Sequence, residues 1–234
     1  MQAQYISHMG DDLSVVNAAR VSFDKTSEWE WECCGKPFQG MSAPECCGLP
    51  EPRLKDADAR LICYLAKHDH WTPFAHTSIS LRMKAPVPIR TQCFKHKQGL
   101  VENEESRRYI SSTPELFVPE YFRAKPEGSI KQGSGEKHPH SDGAKEAYVA
   151  MCMDAIALYE SFVEGGICPE QARFVLPQGC QVNWIWTGNL YAFANFYLKR
   201  TDPHAQVEIQ QLAKQVGEII EPLFPTSWKA LTQQ

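Results

Sequence analysis

Residues 92–109 read Q-C-F-K-H-K-Q-G-L-V-E-N-E-E-S-R-R-Y and combine basic, acidic and neutral hydrogen-bonding side chains in one short stretch. The basic residues are Lys95, His96, Lys97, Arg107 and Arg108, the acidic ones are Glu102, Glu104 and Glu105, and the neutral polar ones include Gln92, Asn103 and Ser106. A solvated charged surface does not need these amides and hydroxyls, whereas a site for a phosphate and a heterocycle needs them together with the cations. The stretch therefore predicts such a site, with a charged surface loop as the alternative.

The composition of the whole chain is that of an ordinary soluble globular protein. With 234 residues, 43% hydrophobic and 22% charged, it indicates one domain over residues 1–234, or at most two. A net charge of −4 and a pI near 6.1 argue against nucleic-acid binding. No apolar run is long enough to span a bilayer, and the N-terminus lacks the apolar core of a signal peptide, so we expect no membrane partner. Nine cysteines, an odd number in a chain of this size, indicate the reducing cytoplasm.

Residue periodicity predicts a mixture of helices and strands. The predicted helices are Asp11–Arg20, Leu54–Lys67, Ala144–Val163, Asn189–Arg200 and a helix that begins at Asp202-Pro203 and is closed by Pro222 and Pro225. Alternation of apolar and polar residues predicts strands over Thr77–Ala85 and around Val182, Trp184 and Trp186. Pro86 and Pro88 either end the first strand or place it at a sheet edge. That strand is expected to deliver Arg90 and Gln92 to the exit of a sheet.

Three of these helices have apolar stripes that we expect to face the core. In the helix Leu54–Lys67 the stripe is Leu54, Ala57, Leu61, Ile62 and Leu65. In the long helix Ala144–Val163 it is Tyr148, Met151, Cys152, Ala155, Leu158, Tyr159 and Phe162. In the helix predicted to begin at Asp202-Pro203 it is Ile209, Leu212, Ala213, Val216 and Ile220. Gly165-Gly166 is expected to end the long helix. Asn189 is expected to cap the helix that follows it. Arg173 precedes apolar residues, and a buried arginine there needs a partner.

Two segments do not fit the periodic pattern. Residues 28–53 contain Cys33-Cys34 and Cys46-Cys47 around a Pro- and Gly-containing loop, for which a zinc site, a redox-labile pair and a plain insertion remain open. Residues 124–143 have the composition of a mobile loop. The histidines of the run H-D-H-W-T-P-F-A-H lack a matching carboxylate cluster, so we predict no metal site.

The motifs resemble those of flavin-dependent thymidylate synthases. Lys95-His96-Lys97 followed by Asn103-Glu104-x-Ser106-x-Arg108-Tyr109 is similar to the signature of that family, which has arginine at both lysine positions and a spacer one residue shorter. Lysine carries a point charge and cannot grip two phosphate oxygens in the planar geometry of arginine, so a phosphate contact there differs from that of the family.

Further matches follow the family order. His70 and Thr72 match its histidine and hydroxyl residue, although Asp69 stands where the family often has glycine, and Arg173 matches an arginine that binds the substrate phosphate. Its later pattern falls on Asn189, Tyr191, Asn195 and Arg200, and Tyr191 replaces an arginine. The Ala-Gln-x-Glu-Ile run at 205–209 is also similar.

The resemblance implies a fold, an activity and an assembly. It implies an α+β single domain with a central, mostly antiparallel sheet flanked by helices, which assembles as a homotetramer with sites shared between subunits. The implied activity is the reductive methylation of dUMP to dTMP, with methylenetetrahydrofolate as the carbon donor and NADPH reducing FAD. The alternatives are a sister enzyme that methylates or hydroxymethylates another pyrimidine nucleotide such as dCMP, and a nucleotide-binding protein without catalysis.

The resemblance also implies roles for individual residues. Arg200 is the catalytic cation expected to stabilise an ionised uracil, which makes C5 nucleophilic. The substrate-binding residues are Gln92, Lys95, Glu104, Glu105, Ser106, Arg107, Arg108, Arg173 and Arg200. The flavin-binding residues are His70, Thr72, Lys95, His96, Lys97, Glu104, Asn189, Tyr191 and Asn195. Cys93 lies inside the signature, and a mechanism in which its thiolate acts as the nucleophile is the alternative. The apolar strand pattern that precedes Cys93 argues against this alternative, because it indicates an ordinary small apolar residue.

Overall fold

The computed structural model describes residues 1–33, 36–37, 51–127 and 133–233. In chain order the strands are β1 (Gln2–Met9), β2 (Glu30–Cys33), β3 (Lys36–Pro37), β4 (Glu51–Arg53), β5 (Ser78–Pro86), β6 (Leu100–Glu104) and β7 (Gln181–Gly188). The helices are α1 (Asp12–Arg20), α2 (Asp56–Lys67), α3 (Val87–Cys93), α4 (Ser141–Glu164), α5 (Pro169–Ala172), α6 (Leu190–Arg200), α7 (Val207–Ile220) and α8 (Pro225–Thr232). Short 3₁₀ turns cover Val21–Phe23, Thr72–His76 and Arg173–Val175. The fold is therefore α+β, as predicted.

A four-stranded antiparallel sheet in the order β1-β5-β7-β6 lies at the centre. Both predicted strands are confirmed, since β5 and β7 pair with Leu81 opposite Trp186 and Met83 opposite Trp184, all four of them buried. Of the two interpretations of Pro86 and Pro88, the end of the strand is confirmed, since β5 stops at Pro86, and the sheet edge is wrong, because β5 has a partner on each side. The prolines instead start α3, whose first turn has no use for their missing N–H groups.

Helices from both halves of the chain cover this sheet. The inward stripe predicted for α7 is confirmed, since Ile209, Leu212, Val216 and Ile220 are fully buried in the same core cluster as the strands. Asn189 caps α6 by accepting the backbone N–H of Ala192, also as predicted. Burial of apolar side chains at roughly 25 cal/mol per Å² is the main force that holds these layers together.

The stripe predicted for α2 needs one correction. Ala57 is exposed, and the buried position beside it is Asp58. Its carboxylate accepts the guanidinium of Arg20 on α1 and the hydroxyl of Ser27. A buried carboxylate is tolerated only when it is paired in this way, and the sequence pattern carries no sign of these distant partners.

The core stripe predicted for α4 is wrong in part. Cys152, Ile156 and Tyr159 are buried, but Met151 is 61% and Leu158 45% exposed. Apolar residues lie on several faces of this 24-residue helix, and the described part of the chain covers only one of them. Gly165 follows its last residue, and Gly166 has the positive φ that suits a helix end, as predicted.

Several boundaries differ from the sequence expectation. Strands β1 and β6 and helices α3 and α8 were not predicted, and Pro225 begins α8 instead of closing the preceding helix. The predicted start at Asp202-Pro203 is also wrong, since α7 begins at Val207. The Asp202 carboxylate accepts the backbone N–H of His204 and stabilises a turn that separates α6 from α7.

The two non-periodic segments are described in part. Strands β2, β3 and β4 form a small antiparallel sheet in the order β3-β2-β4, while Cys34, Cys46 and Cys47 lie outside the described residues. The mobility of residues 124–143 stays a prediction; an isolated bridge joins Arg123, just before that segment, to Lys137 within it, and α4 already begins at Ser141. Within the described residues no helix is both long and apolar enough to cross a bilayer, and no cluster of three or more His, Cys, Asp or Glu side chains could hold a metal.

Candidate functional site

The site begins where β5 runs into α3. Gln92 lies on α3, and Arg200 is the last residue of α6, which follows directly after β7. Because β5 and β7 are antiparallel, α3 and α6 start at opposite ends of this strand pair, and α6 runs back along the sheet until its last residue lies beside α3. The Arg200 guanidinium donates from Nη2 to the backbone carbonyl of Gln92 at 3.1 Å and from Nη1 to its side-chain Oε1 at 3.4 Å. The strand therefore delivers Gln92 to the site as predicted, but on a helix.

His96 completes this cluster as a neutral ring. Arg200 Nε donates to His96 Nε2 at 2.9 Å, so that nitrogen carries a lone pair and the ring proton is on Nδ1. The ring also packs edge-on against Phe196 with 5.1 Å between centroids. Burial, followed by the charges of Arg200 and Lys199, lowers the pKa of His96 to about 4. We call Gln92, His96 and Arg200 the arginine 200 cluster.

A cavity of about 760 Å³ opens beside the arginine 200 cluster. It is lined by Gln92, Gly133, Leu198, Lys199, Arg200, Asp202, His204, Ala205 and Gln206. Of these, Gln206 belongs to the Ala-Gln-x-Glu-Ile run, but sequence reasoning assigned it no role. Lys199, Asp202 and His204 were also missed, since nothing in their local pattern distinguishes them from other polar surface residues.

The acidic residues of the signature lie on and after β6. Glu104 pairs with Arg90, with Oε2 2.9 Å from Nε, and Glu105 accepts the Asn183 amide at 2.8 Å. The pKa of Glu104 is raised, mainly by burial. The charge of Arg90 lowers this pKa, and the charges of Glu105 and Glu102 raise it further. Both carboxylates therefore already have protein partners: Glu104 connects β6 to α3, and Glu105 connects the residue after β6 to β7.

The two lysines of the signature differ in their contacts. Lys97 pairs with Glu102 and lies over the Phe94 ring, with Nζ 5.4 Å from the centroid. Lys95 is exposed. A phosphate contact through Lys97 therefore competes with an existing ion pair.

A second group of predicted residues lies around Ser106, Arg107, Arg108, Tyr109 and Arg173, and we call it the arginine 108 cluster. Arg107 donates to the backbone carbonyl of Ser112, and Arg108 donates to the Tyr109 hydroxyl and lies over its ring. Arg173 donates from Nε to the carbonyl of Glu170, and the charge of Glu170 also acts on Arg108.

The arginine 108 cluster is open to solvent. Tyr109 is 77% exposed, and Phe174, which follows Arg173, is 80% exposed. The expectation of a buried arginine at position 173 is therefore wrong: the side chain is half-buried, and within the described residues its hydrogen-bond partner is the main-chain carbonyl of Glu170.

A further cavity of about 570 Å³ is lined by two of the predicted flavin-binding residues, Asn189 and Tyr191. It is lined by Trp71, Gln98, Gly99, Asn189, Tyr191 and Ala192. The Tyr191 hydroxyl donates to Asp69 at 2.6 Å and interacts with Asn195, so the residue that departs from the family pattern has local partners. His70 packs near Tyr64, and Thr72 begins the 3₁₀ turn that follows.

Gly99 shapes this cavity by its backbone. Its φ is +73°, which only glycine adopts easily, and a Cβ there would lie 2.6 Å from Asn189 Nδ2. The close approach lets the Gly99 carbonyl accept the N–H of Asn189. A larger residue would push Asn189 out of its capping position.

Cys93 is not a nucleophile in this structure. The side chain is fully buried in the core, and burial raises the pKa of its thiol to about 12, although Arg200 acts in the opposite direction. A thiolate is the reactive form, and it is disfavoured here. The apolar interpretation of Cys93 is therefore confirmed.

The geometry can be compared with known proteins. A family model described as "Thymidylate synthase complementing protein" matches residues 4–226. The flavin-dependent thymidylate synthase of Thermosipho africanus is 31% identical over 226 residues, covering 96% of this chain and 88% of the relative. The enzyme of the same name from Thermus thermophilus is 30% identical over 97% of this chain and 74% of its own length.

A solved structure agrees with these relatives. The UMP/dUMP methylase PolB from Streptomyces cacaoi, bound with 5-Br dUMP, superposes with a TM-score of 0.79 at 25% identity and covers 99% of this chain and 94% of that protein. The matches extend along almost the whole chain and include every motif described above. The chain belongs to the family of flavin-dependent thymidylate synthases.

Proposed function

We propose that this protein methylates dUMP to dTMP with methylenetetrahydrofolate and NADPH as co-substrates and FAD as its cofactor. The observation that carries the proposal is the arginine 200 cluster, where one guanidinium is held by three hydrogen bonds at the edge of a cavity. A cation fixed in this way needs no reorganisation when negative charge develops beside it.

The role proposed for Arg200 follows from its charge and its fixed position. A guanidinium beside the N3 side of uracil favours the ionised ring by Coulomb attraction, and the anion is more nucleophilic at C5. His96 holds Arg200 Nε and stays neutral near pH 7, so it adds no competing positive charge. Gln92 holds the other end of the guanidinium and lines the same cavity, which supports a role in binding the base.

The residues of the 570 Å³ cavity fit a flavin nucleotide in their chemistry. Trp71 and Tyr191 offer aromatic faces, and the absence of a Cβ at Gly99 leaves room beside Asn189. When bound, reduced FAD supplies the hydride, and the chain supplies the cavity and its orientation. Asn189, Tyr191, Asn195, His70 and Thr72 would hold it, together with Lys95, His96, Lys97 and Glu104 from the signature.

We assign the nucleotide phosphate to the arginine 108 cluster. Ser106, Arg108 and Arg173 offer a hydroxyl and two guanidinium groups whose present partners are weak, namely a phenol and a main-chain carbonyl. A phosphate forms stronger, charge-assisted bonds with such groups. The proposal gives a smaller role to four other predicted substrate-binding residues, Lys95, Glu104, Glu105 and Arg107. The last three of these already contact protein groups.

We further propose that the active unit is a homotetramer of single-domain chains whose sites are shared between subunits. The exposed apolar residues of α4 and of the arginine 108 cluster support this, because apolar groups of this size are usually covered in a soluble assembly. The free thiols of Cys63, Cys93, Cys152, Cys168 and Cys180 suit a cytoplasmic location. A native mass of a monomer or dimer would contradict the tetramer.

The absorbance spectrum of the purified protein tests the activity. We expect bound FAD, its bleaching by NADPH without oxygen, and dTMP after methylenetetrahydrofolate and dUMP are added. A colourless protein that takes up no FAD would instead support a nucleotide-binding protein without catalysis. Parallel assays with dCMP and UMP test the sister activities, and faster turnover of either nucleotide would overturn the choice of dUMP.

A further inference from the structure

A chain of hydrogen bonds runs from Arg200 through two glutamine side chains to Glu208 on α7. Arg200 Nη1 donates to Gln92 Oε1 at 3.4 Å, and Gln92 Nε2 donates to Gln206 Oε1 at 2.8 Å. Gln206 Nε2 in turn donates to Glu208 Oε2 at 2.8 Å. We call this chain the glutamine relay. It links the end of α6 to the first turn of α7 by way of α3.

The two ends of the glutamine relay determine the direction of every bond between them. The guanidinium of Arg200 can only donate, and the ionised carboxylate of Glu208 can only accept. Each carboxamide has one donor end and one acceptor end. Turning either Gln92 or Gln206 over would bring two donors or two acceptors face to face, so only one orientation of each amide satisfies the whole chain.

Glu208 is held so that it stays ionised and in place. It is buried, and Arg123 Nη2 donates to both of its oxygens at 2.7 Å. Burial by itself raises the pKa of Glu208, but the hydrogen bonds from Arg123, from its own backbone and from Gln206 outweigh this and bring the pKa below its ordinary value. Arg123 is itself fixed by its Nε bond to Ser134 Oγ at 2.6 Å.

Only one end of the glutamine relay reaches the candidate substrate cavity. Arg200, Gln92 and Gln206 line the cavity of about 760 Å³. Glu208 and Arg123 line a neighbouring cavity of about 440 Å³, and Gln206 lies between the two cavities. Glu208 therefore influences the first cavity through the amides and without lining it.

We propose that Glu208 is a positioning residue that sets, through Gln206, the orientation of the Gln92 amide and thereby the pattern of donors and acceptors offered to a pyrimidine base. The inference rests on the proposed function, since it places the base in this cavity. Uracil offers an acceptor at O4 whether or not N3 is ionised, whereas cytosine offers a donor, its exocyclic amino group, at the same position. A fixed amide favours one base, and an amide that is free to turn does not.

Gln206→Leu tests the proposal, because it interrupts the glutamine relay and leaves the bonds between Arg123 and Glu208 in place. The matched control is Gln211→Leu, which makes the same change at an exposed position of the same helix. Isothermal titration of the FAD-loaded proteins gives the dissociation constants of dUMP and dCMP. We expect Gln206→Leu to bind dUMP about tenfold more weakly while dCMP binding changes little, and the control to match the wild type. A wild-type dUMP to dCMP ratio in Gln206→Leu would overturn the proposal.

A second measurement needs no nucleotide. The pKa of His96, read by NMR of histidine-labelled protein, reports on how firmly Arg200 is held, because Arg200 and Lys199 are the charges that act on this ring. His96→Gln identifies the resonance. We expect the pKa to rise in Gln206→Leu and not in Gln211→Leu, and an unchanged pKa in Gln206→Leu would overturn the positioning role. If the wild type binds neither nucleotide, the proposed function fails while this titration still decides the inference.

Discussion

The two arginine clusters differ in how much of their environment this chain provides. In the arginine 200 cluster, three nitrogens of one guanidinium donate to Gln92 and His96, and the aromatic ring of Phe196 backs the histidine. In the arginine 108 cluster, the guanidinium meets the side chain next to it in sequence, and Tyr109 is 77% exposed. One cluster is preorganised within the fold, and the other has room for further partners.

This difference predicts that substitutions in the two clusters affect different quantities, the catalytic rate in one and the affinity for the nucleotide in the other. A preorganised cation stabilises developing charge without moving, so its removal is expected to affect the rate. An open cluster gains its partners only when a ligand or another subunit arrives, so its removal is expected to affect affinity. The following changes test this difference, from the largest expected effect to the smallest.

Arg200→Leu removes the charge of the preorganised cluster. We expect kcat for dUMP to fall at least about a hundredfold, because the ionised base loses its fixed counter-charge. Steady-state dTMP formation measures this. Arg200→Lys keeps the charge without the three-way contact, and an intermediate rate is expected. A rate for Arg200→Leu within about threefold of the wild type would show that this cluster is not catalytic.

Arg108→Gln removes one charge from the open cluster. We expect the dissociation constant of dUMP to rise about tenfold to a hundredfold, since a hydrogen bond between charged groups contributes about 1.5–3 kcal/mol. Deoxyuridine lacks the phosphate, and its binding should not change. Arg60→Gln, an exposed arginine on α2, is the control for loss of charge. Equal weakening of both ligands would remove the phosphate from this cluster.

His96→Gln tests how the protonation of His96 affects the stability of the folded chain. The pKa of His96 is about 4 in the folded chain against an ordinary 6.5, so between these values the unfolded chain binds a proton that the folded chain does not. The stability that this histidine contributes is therefore fully present above pH 6.5 and is lost as the pH falls toward 4. We expect the variant to lose less stability than the wild type when urea unfolding is compared at about pH 7 and about pH 5. An equal loss in both proteins would contradict the buried neutral ring.

Cys93→Ala should have the smallest effect on activity. The buried thiol takes no part in the proposed chemistry, so kcat is expected within about twofold of the wild type, while the free energy of unfolding falls by about 1 kcal/mol through lost packing. Cys63→Ala, at an exposed cysteine, is the control. A folded Cys93→Ala protein without turnover would restore the thiolate mechanism.

The sequence predicted elements well where one face of a segment is buried by its neighbours. Alternation identified β5 and β7, and helical spacing identified α7, because burial on one side leaves a regular apolar pattern. The pattern gave a wrong prediction at α4, where Met151 and Leu158 are apolar like core residues but lie on a face that the described residues leave exposed. Strand β1 was missed because nearly all of its residues are exposed and no alternation results.

For the candidate site, too, local motifs predicted some residues and not others. Local motifs pointed to Gln92, His96 and Arg200, and the fold brings these three into contact. No local motif indicated that Asp58 would be buried or that Gln206 and Glu208 would be connected to Arg200.

By itself the sequence determined the family of the chain, the chemical character of its signature and the segments that form one-sided strands and helices. These properties depend on residue type and short-range spacing, which folding does not alter. Only the tertiary structure decided which cations are held and which are open, since Gln92 and Arg200 are 108 residues apart. Contacts over such distances depend on how the sheet and its helices pack, and no local pattern encodes them.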